Sequence, residues 1–178
     1  MATLGRAPMR KSIMNPSRIA LFLVGCTVVL MVFAFVWPLV APAYAQLQVF
    51  CIKPLISAEL RVDAAGIAVY QNEKLQARRE FLSFGGLGLT LALWLMVPGF
   101  SWKRRVLWTA LGLIILFIWH VLGLWGLIAF AHAVEAQRAA GLYTLLYSVI
   151  AVGDWIVPFL LWGVVLLRDY LRGSGATP

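Results

Sequence analysis

Four apolar stretches, at 19–40, 81–100, 106–130 and 142–167, fill roughly half of the 178 residues, and each is long enough to cross a hydrocarbon layer of about 30 Å. Inside lipid every backbone N–H and C=O needs a partner within the protein, so such stretches must be helical. The chain therefore reads as an all-α membrane protein, a four-transmembrane-helix bundle. Hydrophobic residues make up 62% and charged residues 12% of it, against about 25% charged in soluble domains.

The net charge of +8 does not point to nucleic acid, because its distribution follows the apolar stretches. Arg6, Arg10, Lys11 and Arg18 precede the first span, Lys103, Arg104 and Arg105 fill the loop between the second and third, and Arg168 and Arg172 follow the fourth. With four crossings all of these lie on one side, as expected for cytoplasmic segments. On the other side Lys53, Arg61, Lys74, Arg78, Arg79 and Arg138 are nearly balanced by Glu59, Asp63, Glu73, Glu80 and Glu135. The expectation is a multi-pass protein of a bacterial inner membrane with residues 1–18 and 168–178 cytoplasmic.

Two processing signals overlap the first span. Ala43-Tyr44-Ala45 has the small-x-small form of a signal-peptidase site, but the apolar run before it is about 22 residues, longer than the usual h-region of about 7–15. Retention as an anchor is the preferred reading; cleavage after Ala45 would leave three spans. Leu23-Val24-Gly25-Cys26 reads like a lipoprotein box, yet the chain stays apolar beyond it. Cys26 and Cys51 are expected at different depths, too far apart for a disulfide, which needs Cα atoms within about 7 Å.

Residues 41–80 are the only sizeable extracytoplasmic segment. Over 44–53, Leu47, Phe50 and Cys51 share a helical face with Gln46, Gln48 and Lys53 elsewhere, the pattern of a short interfacial helix. Alternation through Glu59-Leu60-Arg61-Val62-Asp63, then Ala64-Ala65-Gly66 and Ile67-Ala68-Val69-Tyr70, predicts a β-hairpin with Gly66 in the left-handed conformation. Asn72 is expected to cap a helix over 73–80 that runs into the second span. An isolated hairpin is marginal in water, so this one is either a structured connector or a docking element for a partner strand. The docking candidates are Leu60, Val62, Gly66, Ile67, Val69 and Tyr70.

Ionisable groups within spans are costly and call for a functional hypothesis. His120 and Asp154 are expected at similar depth near the midplane of adjacent antiparallel helices, flanked by Trp119 and Trp155. Three roles fit them: an interhelical hydrogen bond, a proton-relay or ligand site, or a contact to a polar group on a partner helix. Haem ligation by His120 with His132 fits poorly, since twelve residues place them about 120° apart on a helix. Gly85, Gly86, Gly88, Gly123 and Gly126 fit close helix packing.

No HExxH, CxxC, GxSxG or GxxxxGK[ST] motif is present, so no metal site, cofactor or catalytic residue is assigned. A Cys51 nucleophile beside Arg78, Arg79 or His132 competes with simple packing of an apolar-face thiol, and packing is preferred.

In its order of elements the chain resembles the small exosortase-associated membrane proteins of Gram-negative bacteria. The residues concerned are a basic start, a first span ending Val36-Trp37-Pro38, the strand-like Leu60-Arg61-Val62-Asp63 and Gly66-Ile67-Ala68-Val69, and a last span containing Val157-Pro158-Phe159-Leu160-Leu161-Trp162. The transpeptidase's own Ala-Cys-Ser-Gly-like motif is absent. The resemblance therefore implies a companion of such an enzyme: a non-catalytic accessory or assembly subunit with a membrane-protein partner. The alternative is a small membrane enzyme or transporter subunit that uses His120 and Asp154 for proton or ligand handling.

Overall fold

A computed structural model describes the backbone of residues 16–63, 65–71, 73–80, 84–135 and 140–174, with side chains throughout except at 71, 130–135, 140, 142–144, 146–147 and 169–174. The elements are α1 (Pro16–Ile52), a single 3-10 turn (Lys53–Leu55), β1 (Glu59–Val62), β2 (Gly66–Gln71), β3 (Lys74–Glu80), α2 (Gly85–Met96), α3 (Trp102–Glu135) and α4 (Ala140–Ser174).

Among the described residues, three helices are long and apolar enough to cross a membrane, over Pro16–Leu55, Trp102–Ala129 and Ser148–Arg168. The second apolar stretch behaves differently. Among its described residues the α-helix spans Gly85–Met96, about 18 Å at 1.5 Å per residue, too short alone for a 30 Å layer. It stops where Pro98 can donate no hydrogen bond and Gly99 turns the chain at φ 82°. Arg105 then reaches back across this turn. Its Nη1 donates to the Leu95 carbonyl at 2.7 Å and its Nε to the Phe100 carbonyl at 3.1 Å, which satisfies carbonyls that a helix end leaves open.

Ring contacts and glycine approaches fix the packing as antiparallel neighbours. Gly25 faces Met96 and Gly88 faces Phe33 between α1 and α2. Trp94 stacks on Trp108 between α2 and α3, and Gly153 faces Trp119 between α3 and α4. The short α2 is the central helix, touching α1, α3 and α4 and mostly buried. Around it α1, α3 and α4 expose rows of large apolar side chains such as Leu21, Phe35, Leu39, Leu107, Leu122 and Phe159, as helices facing lipid do.

Residues 41–80 depart from expectation in three ways. First, there is no separate interfacial helix: α1 runs on through Ile52. Leu47, Phe50 and Cys51 do share a face, and it is the exposed one, while Ala41, Ala45, Gln48 and Ile52 form the buried one. Pro38 and Pro42 lie inside the helix, where each removes one backbone donor without ending it. Second, 73–80 is a strand and not a helix. It makes an antiparallel sheet of order β1-β2-β3, with Val62, Ile67 and Arg79 in one rung and Leu60, Val69 and Ala77 in the next. Lys, Leu, Gln, Ala, Arg and Glu favour helices only weakly in isolation, and tertiary pairing overrides such preferences. Asn72 lies outside the described residues, while its neighbour Glu73 turns the chain at φ 64°. Third, Gly66 is an ordinary strand residue, without a positive φ. Asp63 closes the turn instead, its Oδ1 accepting from the Ala65 and Gly66 N–H groups at 2.8 and 3.0 Å. Glycine is needed at 66 because a Cβ there would stand 2.0 Å from the Arg79 carbonyl oxygen.

One sheet face is apolar. Ile67 and Val69, with Leu60, Val62 and Ala77 beside them, pack against Ala45 and Ile52 of α1 and Leu124, Leu127 and Ile128 of α3. The sheet is thereby laid on the ends of α1 and α3 by about 25 cal/mol of stabilisation per Å² of apolar surface removed from water.

Candidate functional site

Because residues paired across the sheet share a face, Arg79 sits on the apolar side in line with Ile67 and Val62. Unlike the exposed Lys74, it enters the helix bundle. Its Nη1 donates to the His120 carbonyl at 2.7 Å and its Nη2 lies 3.4 Å from Asp154 Oδ2. Its guanidinium also lies over the Phe84 ring, 4.8 Å from the centroid. Arg79 is 6% exposed, Asp154 1% and His120 0%. A charge so buried is tolerable only when paired and hydrogen-bonded.

His120 and Asp154 are brought together as expected. His120 lies about 22 Å along α3 from Arg105, and Asp154 about 21 Å along α4 from Arg168, so antiparallel packing sets them at one level. His120 Nε2 and Asp154 Oδ1 are 3.2 Å apart. That is an ion-pair distance, but neither atom makes an aligned hydrogen bond. On the other side of the ring, Tyr44 Oη is 2.7 Å from His120 Nδ1. A neutral imidazole with its proton on Nε2, toward the carboxylate, accepts the Tyr44 hydroxyl proton at Nδ1. The result is a buried chain, Tyr44–His120–Asp154–Arg79, that joins α1, α3, α4 and β3.

Glycines make the room. A Cβ on Gly123 would lie 2.9 Å from Arg79 Nη1, and one on Gly86 only 2.0 Å from the Asp154 carbonyl oxygen. Trp119 and Trp155 flank the site as expected, packed on Gly153 and Gly85 respectively. Phe84 closes the inner side, its ring 4.9 Å from that of His120. Gln48, one turn beyond Tyr44 on the same buried face, is 0% exposed with neither amide atom in an aligned hydrogen bond.

The sequence pointed to His120 and Asp154 but missed Tyr44, Gln48 and Arg79. Four crossings leave Arg79 among the balanced outer charges, and a helical 73–80 gives no reason to turn it inward. In a strand, its register with Ile67 and Val62 would have placed it inward. The arrangement also removes Arg79 from any set with Cys51, which is exposed and not packed on an inner face as expected. The His132 side chain lies outside the described residues.

The docking candidates are redistributed. Ile67 and Val69 are buried in the protein's own core, with Leu60 and Val62 packed beside them, and Gly66 backs onto β3. β2 is the central strand, so its backbone is already paired on both sides. Tyr70 is half-buried under the Arg61 guanidinium, 4.9 Å from its ring centroid. The sheet presents instead its polar face, where Arg61 pairs with Glu59 at 2.8 Å and Arg78 with Asp63 at 2.6 Å, and the outer edge of β1. The hydrogen bond and charge of Glu59 push the Arg61 pKa further above its already high value.

Among known proteins, no family model, curated protein or solved structure matches the chain.

Proposed function

We propose that the protein is a non-catalytic accessory or assembly subunit of a bacterial inner-membrane complex, companion to an exosortase-type transpeptidase as its order of elements implies. The observation that carries this reading is the Arg79–Asp154 contact. The fold spends its buried charges on fixing the sheet to the helices, so that a polar face and a strand edge are held in one orientation for a partner. In this reading the chain crosses the membrane four times, with α2 and the end of β3 together making the second crossing and both termini cytoplasmic. Span one is retained in this reading, which the burial of Ala45 inside α1 and the Tyr44–His120 bond support.

The test is mild-detergent extraction of the tagged full-length protein from its native membrane, followed by mass spectrometry. A partner at fixed ratio is expected. It should be lost when Glu59, Arg61 and Arg78 on the polar face are changed together to alanine, while unfolding behaviour is kept. If no partner co-purifies, or if that variant still holds it, the accessory reading fails.

A second reading has its own support. His120 Nε2, Asp154 Oδ1 and the Gln48 amide are buried without aligned partners, as a site for proton or ligand handling would leave them. Asp154→Asn that abolishes activity in an intact complex would favour this role in an enzyme or transporter subunit.

A further inference from the structure

The end of the bundle away from the sheet gathers four helix termini. Phe22 of α1 stacks on Trp162 of α4 with centroids 6.1 Å apart. Val165 of α4 shares a buried cluster with Trp94 and Val97 from the end of α2, and Phe100 and Trp108 from the start of α3 pack on it. Arg18, Lys103, Arg104, Arg105 and Arg168 all lie within about two turns of these contacts. The acids with described side chains, Glu59, Asp63, Glu73, Glu80 and Asp154, all lie in the sheet segment or at the Arg79 site. Asp169 follows Arg168 in sequence, and its side chain is outside the described residues.

These cations have different duties. Arg105 caps α2 through the Leu95 carbonyl and holds the following turn through that of Phe100, and Arg104 lies over the Phe100 ring at 4.2 Å. Lys103 and Arg168 are exposed and, among the described residues, bond to no protein group. Each stands one helical turn from an exposed aliphatic side chain: Lys103 beside Leu107 and Arg168 beside Val164, which are 65% and 64% exposed. Residues four apart lie on the same helix face. Beside Lys103, Trp102 is 67% exposed, placed as interfacial tryptophans are.

We infer that this end binds anionic phospholipid, Lys103 and Arg168 each drawing headgroup phosphate and the acyl chains lying along Leu107 and Val164. Cations above a bare aliphatic strip match both halves of such a molecule. A soluble anion would use only the cations, and a zwitterionic lipid would gain less from them. This goes beyond the accessory role and does not depend on it.

The experiment uses purified full-length protein in vesicles of phosphatidylcholine mixed with phosphatidylglycerol, with retained lipid read by native mass spectrometry after release. Wild type should retain phosphatidylglycerol preferentially. K103Q/R168Q should lose that preference, whereas K53Q/K74Q, which removes two charges at the sheet end, should keep it. Equal retention of the two lipids by wild type overturns the inference, as does an unchanged preference in K103Q/R168Q or an equal loss in K53Q/K74Q. Displacement of the lipid by inorganic phosphate at matched ionic strength would instead assign the site to a free anion and would likewise overturn it.

Discussion

At the scale of single residues, the decisive question is what Arg79 contributes inside the bundle. Arg79→Leu leaves the Asp154 carboxylate buried without its guanidinium, and breaking a buried pair from one side costs about 3–5 kcal/mol. Replacing both partners with apolar groups is often close to neutral. The double variant R79L/D154L should therefore unfold much closer to wild type than R79L alone, in denaturant titrations in micelles followed by tryptophan fluorescence. A double variant less stable than either single would rule out the two side chains acting as a pair. Gln48 offers a complementary test. Its buried amide atoms make no aligned hydrogen bond, although Tyr44 is within reach, and an unsatisfied buried polar group costs about 1–3 kcal/mol. Gln48→Met should raise stability by an amount of that order. If stability rises but biological activity falls, the amide serves proton or ligand handling and not the fold.

At the scale of elements, the long apolar runs were legible and the sheet only half so. Hydropathy alone located α1, α3 and α4, because crossing lipid leaves no other backbone solution. It could not shorten the second run to Gly85–Met96. Pro98 and Gly99 stood in the sequence as a helix stop, but the start of α2 depends on where β3 releases the chain. The alternation through Leu60–Val62 and Ile67–Val69 was readable as period two. Lys74–Glu80 was not, since its composition is helical and only its pairing to β2 makes it a strand. The same blind spot hid Arg79, Tyr44 and Gln48: each owes its place to a partner distant in sequence. Glycine substitutions check the packing that results. Gly86→Ala would put a methyl 2.0 Å from the Asp154 carbonyl oxygen, and backbone cannot swing aside as a side chain can. Gly141, also helical, has nothing within 4 Å of its would-be Cβ, so Gly141→Ala should stabilise by up to about 1 kcal/mol. Thermal unfolding in detergent should move in opposite directions for the two. Tolerance of Gly86→Ala would contradict the close crossing of α2 and α4.

At the scale of the whole molecule, the open question is how a chain with three long helices and one short one sits in a bilayer. The antiparallel contacts of α2 with α1 and α3 carry the chain from the sheet back to the Lys103–Arg105 turn, even though α2 is only about 18 Å long. What α2 lacks in length, β3 supplies. Arg79 already reaches the level of His120 and Asp154, and Phe84 packs on the His120 ring, so Arg79 and Phe84 are both buried in the protein. Non-helical backbone at membrane depth is tolerated where protein surrounds it. Charge gives the direction, since the basic segments cluster at the end opposite the sheet and favour the cytoplasm. The proposed four crossings carry a definite labelling pattern. In a variant with Cys26 and Cys51 replaced, single cysteines at Ser17, Lys103 and Arg168 should react with a membrane-impermeant maleimide only after the cells are opened. One at Glu73 should react in intact periplasm-accessible cells. If α2 failed to cross, Lys103 would label from the same side as Glu73, and both the four-crossing topology and the use of the polar face as an outward platform would fall together.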